Sequence, residues 1–196
     1  HLGAYGYPRD TTPVLGRLAG GGTRFDDTVA QATWTKVSTP SILTSLYPLT
    51  HGVKDVPDRL PSSATTLAEI YRAAGHATVS FSSVTFSGAA TNLHQGFEEL
   101  HEAASRTGLN RGKSARGFVD RLLPWLDVHR DVPFFVFLHL FDPHSPFEPR
   151  PPYNTMWADP AERAAHAERV SEVRQQIDSP FLRGQVMPSQ ADLDAS

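Results

Sequence analysis

The stretch Pro133 to Leu140, Pro-Phe-Phe-Val-Phe-Leu-His-Leu, constrains the fold more than any other segment of this chain. Its apolar residues follow one another without the in–out alternation of a strand that has one wet face. The pattern therefore predicts a parallel strand covered on both sides. Such a sheet needs helices, and helical patterns precede it. Thr11-Thr12-Pro13 reads as the capped start of a short helix that Gly20-Gly21-Gly22 stops. A second is expected from Pro40 to Leu46, and a third from Leu67 to Ala74, capped by Thr65-Thr66 with Leu67, Ile70, Tyr71 and Ala74 on one face. His76 to Phe81 then reads as a strand, and Ser114 opens a helical stretch in which Phe118, Leu122, Trp125 and Leu126 recur at helix spacing and Pro124 threatens a kink. Helices alternating with strands make this an α/β fold, a mostly parallel sheet flanked by helices and incomplete in this chain.

After Leu140 the character changes. Five prolines between Pro143 and Pro152 impose an irregular loop. Asp159-Pro160-Ala161-Glu162 resembles a capping box that opens a polar helix to about Ile177. Residues 178–196 lack apolar periodicity and are expected to be an irregular tail, with residues 1–196 as the N-terminal part of a single domain.

Composition removes several function classes. A net charge of -3 gives no general attraction for nucleic acid or an anionic membrane. With 39% hydrophobic and 20% charged residues the chain reads as soluble and globular. No apolar run approaches the ~20 residues of a membrane helix. Cysteine is absent, which excludes disulfides and thiolate metal sites. The first residue is His1, so an N-terminal address is not readable and localisation stays unknown.

Two segments carry residue types suited to catalysis. Thr33 to Gly52 is rich in hydroxyls and leads into a helix, where backbone N–H groups and the positive dipole end suit phosphate or sulfate. The same hydroxyls also serve as caps and turn formers, and composition leaves both readings open. His139-Leu140-Phe141-Asp142-Pro143-His144 lies at the carboxyl end of the expected strand, where open α/β sheets place ligands. There Asp142 and His144 suit metal binding or acid–base work, and they equally suit a turn with a surface histidine.

Trp34-Thr35-Lys36-Val37-Ser38, then Ser41 to Pro48 and His51-Gly52-Val53, resemble the signature of the sulfatase family of the alkaline phosphatase superfamily. The family has a nucleophile followed by x-Pro-Ser-Arg, a Leu-Leu-Thr-Gly run and a Pro-x-x-His-Gly ending. Matching through Thr44, Pro48 and His51-Gly52 puts the nucleophile at Thr35. A shorter register over Ser38-Thr39-Pro40-Ser41 makes Ser38 the runner-up. The Arg is missing in both, and without cysteine there is no formylglycine precursor. The opening His1 to Pro8, with Thr12-Pro13 and Gly22 to Phe25, resembles the family's start just after its first strand, whose Asp ligands would precede His1. Asp142-Pro143-His144-Ser145-Pro146-Phe147 is similar to its Asp-Pro-His-x-Pro-Tyr motif. Ser82-Ser83-Val84-Thr85 stands where many members carry Gly-Lys-Trp-His.

The resemblance implies a metal-dependent hydrolase of small-molecule or glycan sulfate or phosphate esters. Thr35 would be nucleophile and metal ligand, His144 would aid the leaving group, and Lys36 and Asp142 would bind substrate, Asp142 by orienting His144. A solvated Lys36 is the alternative. His51 is expected to fix a turn, His139 to pack in the core, and His94 to Glu98 to form a structural turn. The implied cofactor is a divalent cation, calcium foremost, with zinc, manganese or magnesium as alternatives and carboxylate ligands outside this chain. The 196 residues alone would then turn over no ester. A periplasmic or secreted location is implied in the same way. The rivals are a phosphoesterase or phospho-head-group transferase of the superfamily, and a non-catalytic binding domain on the same fold.

Overall fold

Alternation between faces decides how the central strand sits. In the computed structural model, which describes residues 1–102, 115–144, 151–156 and 159–177, β1 (Ala77–Ser82) is buried from Thr78 to Ser82. It is flanked by β2 (Glu99–Glu102) and β3 (Phe134–His139), both parallel to it, in the order β2-β1-β3. The register runs Val79 beside Glu99 on one side, and Ala77 beside Phe134 to Ser82 beside His139 on the other.

The sheet is covered on both faces, as the unalternating run of β3 requires. Val79 and Phe81, with Val136 and Leu138 at their edge, pack on Phe118, Leu122, Trp125 and Leu126 of α5 (Ala115–Val128). Phe135 and Phe137 point the other way, onto a cluster of Leu43, Val53, Leu60, Ala64 and Leu93. Burying one such side chain stabilises the fold by roughly 1.5–3 kcal/mol. β3 itself is only half-buried, so the strand shielded best is β1.

Local chemistry explains the helices and corrects several expectations. α1 (Pro13–Gly20) has Pro13 in its first turn, but Thr12 makes no capping bond. Its hydroxyl instead accepts from the Gly3 amide at 3.1 Å, tying down the turn at Gly3–Tyr5. α2 runs Thr35–Thr44, five residues earlier than expected, with Pro40 in its interior. The short α3 (Pro48–His51) follows. α4 (Leu67–Ala73) opens with a full capping box between Thr66 and Glu69. The buried residue of α4 is Ala68, while Ile70 and Ala74 are exposed, so the expected apolar face is wrong. Tyr71 earns its place by stacking on Phe135, ring centroids 4.7 Å apart. The reason lies in the neighbouring Gly96 turn. Gly96 has φ +84°, and a Cβ there would stand 2.2 Å from the Glu69 amide nitrogen, so the chain passes directly over α4. Thr66 and Thr78 hydroxyls donate to the carbonyls of Gln95 and Gly96, making the His94 to Glu98 segment a structural turn.

β2 was not expected, since Glu99-Leu100-His101-Glu102 is mostly polar. Its side chains are used by neighbours: His101 stacks on Phe81 and Glu99 accepts from the Trp125 indole at 2.8 Å. α5 continues through Pro124 to Val128, and its expected opening at Ser114 lies outside the described residues.

The chain divides into two compact units, His1–Asp142 and Pro143–Ser196. Within the second, α6 (Tyr153–Met156) precedes α7 (Pro160–Ile177). The Asp159 carboxylate accepts from the Ala161 amide at 2.7 Å, as a helix start requires. The irregular tail expected at 178–196 lies outside the described residues, as do Ser145, Pro146 and Phe147. No helix among the described residues is long and apolar enough to cross a membrane.

Candidate active site

α2 begins where the resemblance puts the nucleophile. Trp34 is extended and supplies no capping side chain, so Thr35 is the first helical residue. The Trp34 carbonyl accepts from the amides of Val37 at 3.3 Å and Ser38 at 3.1 Å. The first N–H groups of a helix have no acceptor inside it, so this end favours negative charge.

The hydroxyls of this helix are spent differently. Ser38 Oγ donates to the Trp34 carbonyl at 3.0 Å. Thr44 Oγ1 donates to the Pro40 carbonyl at 2.7 Å and accepts from the Leu46 amide at 3.2 Å. Ser41 Oγ is paired with His51 Nε2 at 3.0 Å. Among the described residues neither Thr35 nor Thr39 makes a side-chain hydrogen bond; Thr39 is buried, whereas Thr35 is half-buried and its oxygen is left for another partner.

Lys36 is not solvated. It is 1% exposed, its Nζ donates to Thr91 Oγ1 at 3.1 Å, and it lies 5.3 Å from the centroid of the Phe86 ring. Phe86 meets Trp34 edge-on with centroids 6.0 Å apart. Burial pushes the ammonium below its ordinary pKa; Asp58 opposes that and Arg59 adds to it.

His51 fixes a turn, and its tautomer can be read. The Val53 amide donates to Nδ1 at 3.1 Å, so Nδ1 has no proton and Nε2 carries it toward Ser41. In that state His51 cannot take a proton from Ser41. Burial lowers its pKa, against weaker backbone hydrogen bonds, and so favours the neutral ring.

His139 does more than pack. At the carboxyl end of β3 its Nδ1 is 2.9 Å from Ser83 Oγ, and its carbonyl accepts from the Ser83 amide at 3.1 Å. Sequence reasoning missed this pair, and it missed Thr91 as the partner of Lys36. The only signal for the first was position, since Ser83 directly follows the register partner of His139.

The structure thus gathers Thr35, Lys36 and Ser38 on one turn of α2. Asp142, an exposed residue ending the first unit, accepts from the Ala115 amide at 2.8 Å and so caps α5. His144 is exposed and belongs to the second unit. Among the described residues no three His, Asp or Glu side chains come together to hold a metal ion. Thr35 offers a cation one oxygen, so the described residues do not by themselves fit a divalent metal.

Residues 1–186 match the family model described as Sulfatase. The bovine and human proteins named arylsulfatase A are 40% and 37% identical to this chain over 83 residues, 39% of this chain. That stretch spans only 16% of either relative. The crystal structure of a phosphonate monoester hydrolase of Agrobacterium radiobacter superposes with a TM-score of 0.67 at 18% identity, over 80% of this chain and 41% of that one. A phosphonate monoester hydrolase from Silicibacter pomeroyi gives 0.51 at 20% identity, over 78% and 43%. At such identities these two likenesses speak to the fold, a parallel sheet flanked by helices.

Proposed function

Because the chain belongs to the sulfatase family, we propose that it carries the nucleophile of a hydrolase of sulfate or phosphate esters, and that the nucleophile is Thr35. The observation that supports this most is the accounting of hydroxyls along α2. Ser38, Ser41 and Thr44 are each committed to a partner; of the two hydroxyls left, that of Thr39 is buried in mid-helix, whereas Thr35 stands half-buried at the end of the helix that welcomes an anion.

In the proposed reaction the Thr35 oxygen attacks sulfur or phosphorus in line with the ester oxygen. Oγ1 loses its proton as its bond to that centre forms, the bond to the ester oxygen breaks, and the departing oxygen takes a proton. The unpaired amides of the first turn of α2 face charge on the non-bridging oxygens. His144 is the proposed proton donor to the leaving group. Asp142, already bonded to the Ala115 amide, would hold the segment leading to His144 rather than touch the ester. A hydroxyl needs activation to act at neutral pH. The divalent cation implied by the resemblance, calcium foremost, remains part of the proposal, with no step assigned to it. Water then attacks the sulfur or phosphorus bound to Thr35, the bond to Oγ1 breaks, Oγ1 regains a proton, and sulfate or phosphate is released.

The test is kinetic. In the full-length protein Thr35→Ala is expected to lower kcat on an aryl sulfate or aryl phosphate at least ~10³-fold, the scale on which loss of a nucleophile shows. Ser38→Ala is expected to stay within about threefold, since its hydroxyl only back-bonds to the helix. The reverse pattern moves the nucleophile to Ser38.

A further inference from the structure

Lys36 is a cation without a counter-charge. It is 1% exposed, and what meets its ammonium is neutral: the Thr91 hydroxyl at 3.1 Å and the Phe86 ring. None of the ion pairs among the described residues involves it. Asp58 and Arg59 act on it from further away and with opposite sign. A buried charge left in this state is costly unless an anion compensates it. The place where an anion is expected is the turn that Lys36 itself occupies, beside the uncommitted Thr35 and the uncapped amides.

We propose that Lys36 is a positioning residue whose buried charge, held by Thr91 and Phe86, makes this site favour dianionic phosphate monoesters over monoanionic sulfate esters. The side chain is enclosed, so it does so through the field it sets up at the first turn of α2 rather than by touching the ester. Water screens an enclosed charge poorly, and the attraction scales with the charge on the ligand. A dianion therefore gains about twice what a monoanion gains at the same distance. The inference rests on reading the first turn of α2 as the ester site, and it narrows that reading to a substrate class.

The experiment uses the full-length protein with Lys36→Met and Lys36→Arg. It measures kcat/KM on 4-nitrophenyl phosphate and 4-nitrophenyl sulfate, and calorimetric affinity for inorganic phosphate, at a pH where phosphate and its monoester are dianions. Lys36→Met is expected to lower kcat/KM on the phosphate ester at least about tenfold more than on the sulfate ester, a difference of about 1.4 kcal/mol. It should weaken inorganic phosphate by about the same factor. Lys36→Arg should restore the ratio to within about threefold, since it keeps the charge. Should the Met variant fail to fold, Thr91→Val, which loosens the ammonium but keeps it, is expected to shift the same ratio about threefold. Equal losses on both esters, or phosphate affinity unchanged in Lys36→Met, would make Lys36 a packing residue and overturn the proposal. The phosphate affinity decides this whichever ester is turned over, whereas Thr35→Ala turnover tests the nucleophile separately.

Discussion

The two ends of α2 carry similar residues and use them in opposite ways. At the carboxyl end Ser41 and Thr44 are closed into hydrogen bonds with His51, Pro40 and Leu46. At the amino end Thr35 is uncommitted and Lys36 is a buried charge with neutral partners. The Ser41–His51 contact has the 3.0 Å spacing of a nucleophile and its base, yet a backbone amide on Nδ1 fixes the proton on the wrong nitrogen for that role. A short serine–histidine distance is thus no sign of catalysis until the tautomer is known. The end with the catalytic look holds the fold, and the end with unmet groups is the better candidate for chemistry.

The largest expected effect separates the two ends directly. Thr35→Ala should remove turnover by ~10³-fold or more while changing stability by less than about 1 kcal/mol, because no described contact of its hydroxyl is lost. His51→Ala should do the converse. It empties a buried site and leaves the Val53 amide and Ser41 hydroxyl unpaired, at about 3 kcal/mol in chemical unfolding, with kcat per folded molecule nearly unchanged. A fall in kcat matching that of Thr35→Ala would break the comparison.

A smaller effect is in pH. Burial holds the His51 pKa below its unfolded value, so the unfolded chain binds the extra proton first. The His51 contribution is complete above about pH 6.5 and is lost as the pH falls from there toward the folded value. Comparing unfolding free energies across that window in wild type and His51→Gln should show this slope removed by the substitution. An unchanged slope would mean that His51 is not the group responsible. The smallest effect is that of Thr44→Val, which deletes the hydroxyl beside Pro40 and should cost about 1 kcal/mol with no change in rate.

The sheet was legible because β3 wears apolar side chains on both faces, Phe135 and Phe137 to one side and Val136 and Leu138 to the other. The motif around Thr35 was legible as a pattern of residue types, but the start of its helix was not. Proline favours a first helical turn, so Pro40 reads as a beginning, whereas here it lies mid-helix. Lys36 read equally well as solvated because its partner Thr91 is 55 residues away, a contact that no local pattern contains. The Ser83–His139 pair was hidden for the same reason, since it exists only once β1 and β3 are aligned. β2 escaped because its polar residues are satisfied by Phe81 and Trp125 of other elements.

The central claim is that Thr35 bears the reacting group. It is tested most directly by mixing the full-length protein with an aryl phosphate or aryl sulfate, quenching in acid during turnover, and sequencing the peptides by mass spectrometry. The account predicts one added phosphoryl or sulfuryl group on Thr35, absent in Thr35→Ala. The same group on Ser38 or Ser41, or turnover by Thr35→Ala at the wild-type rate, would contradict it.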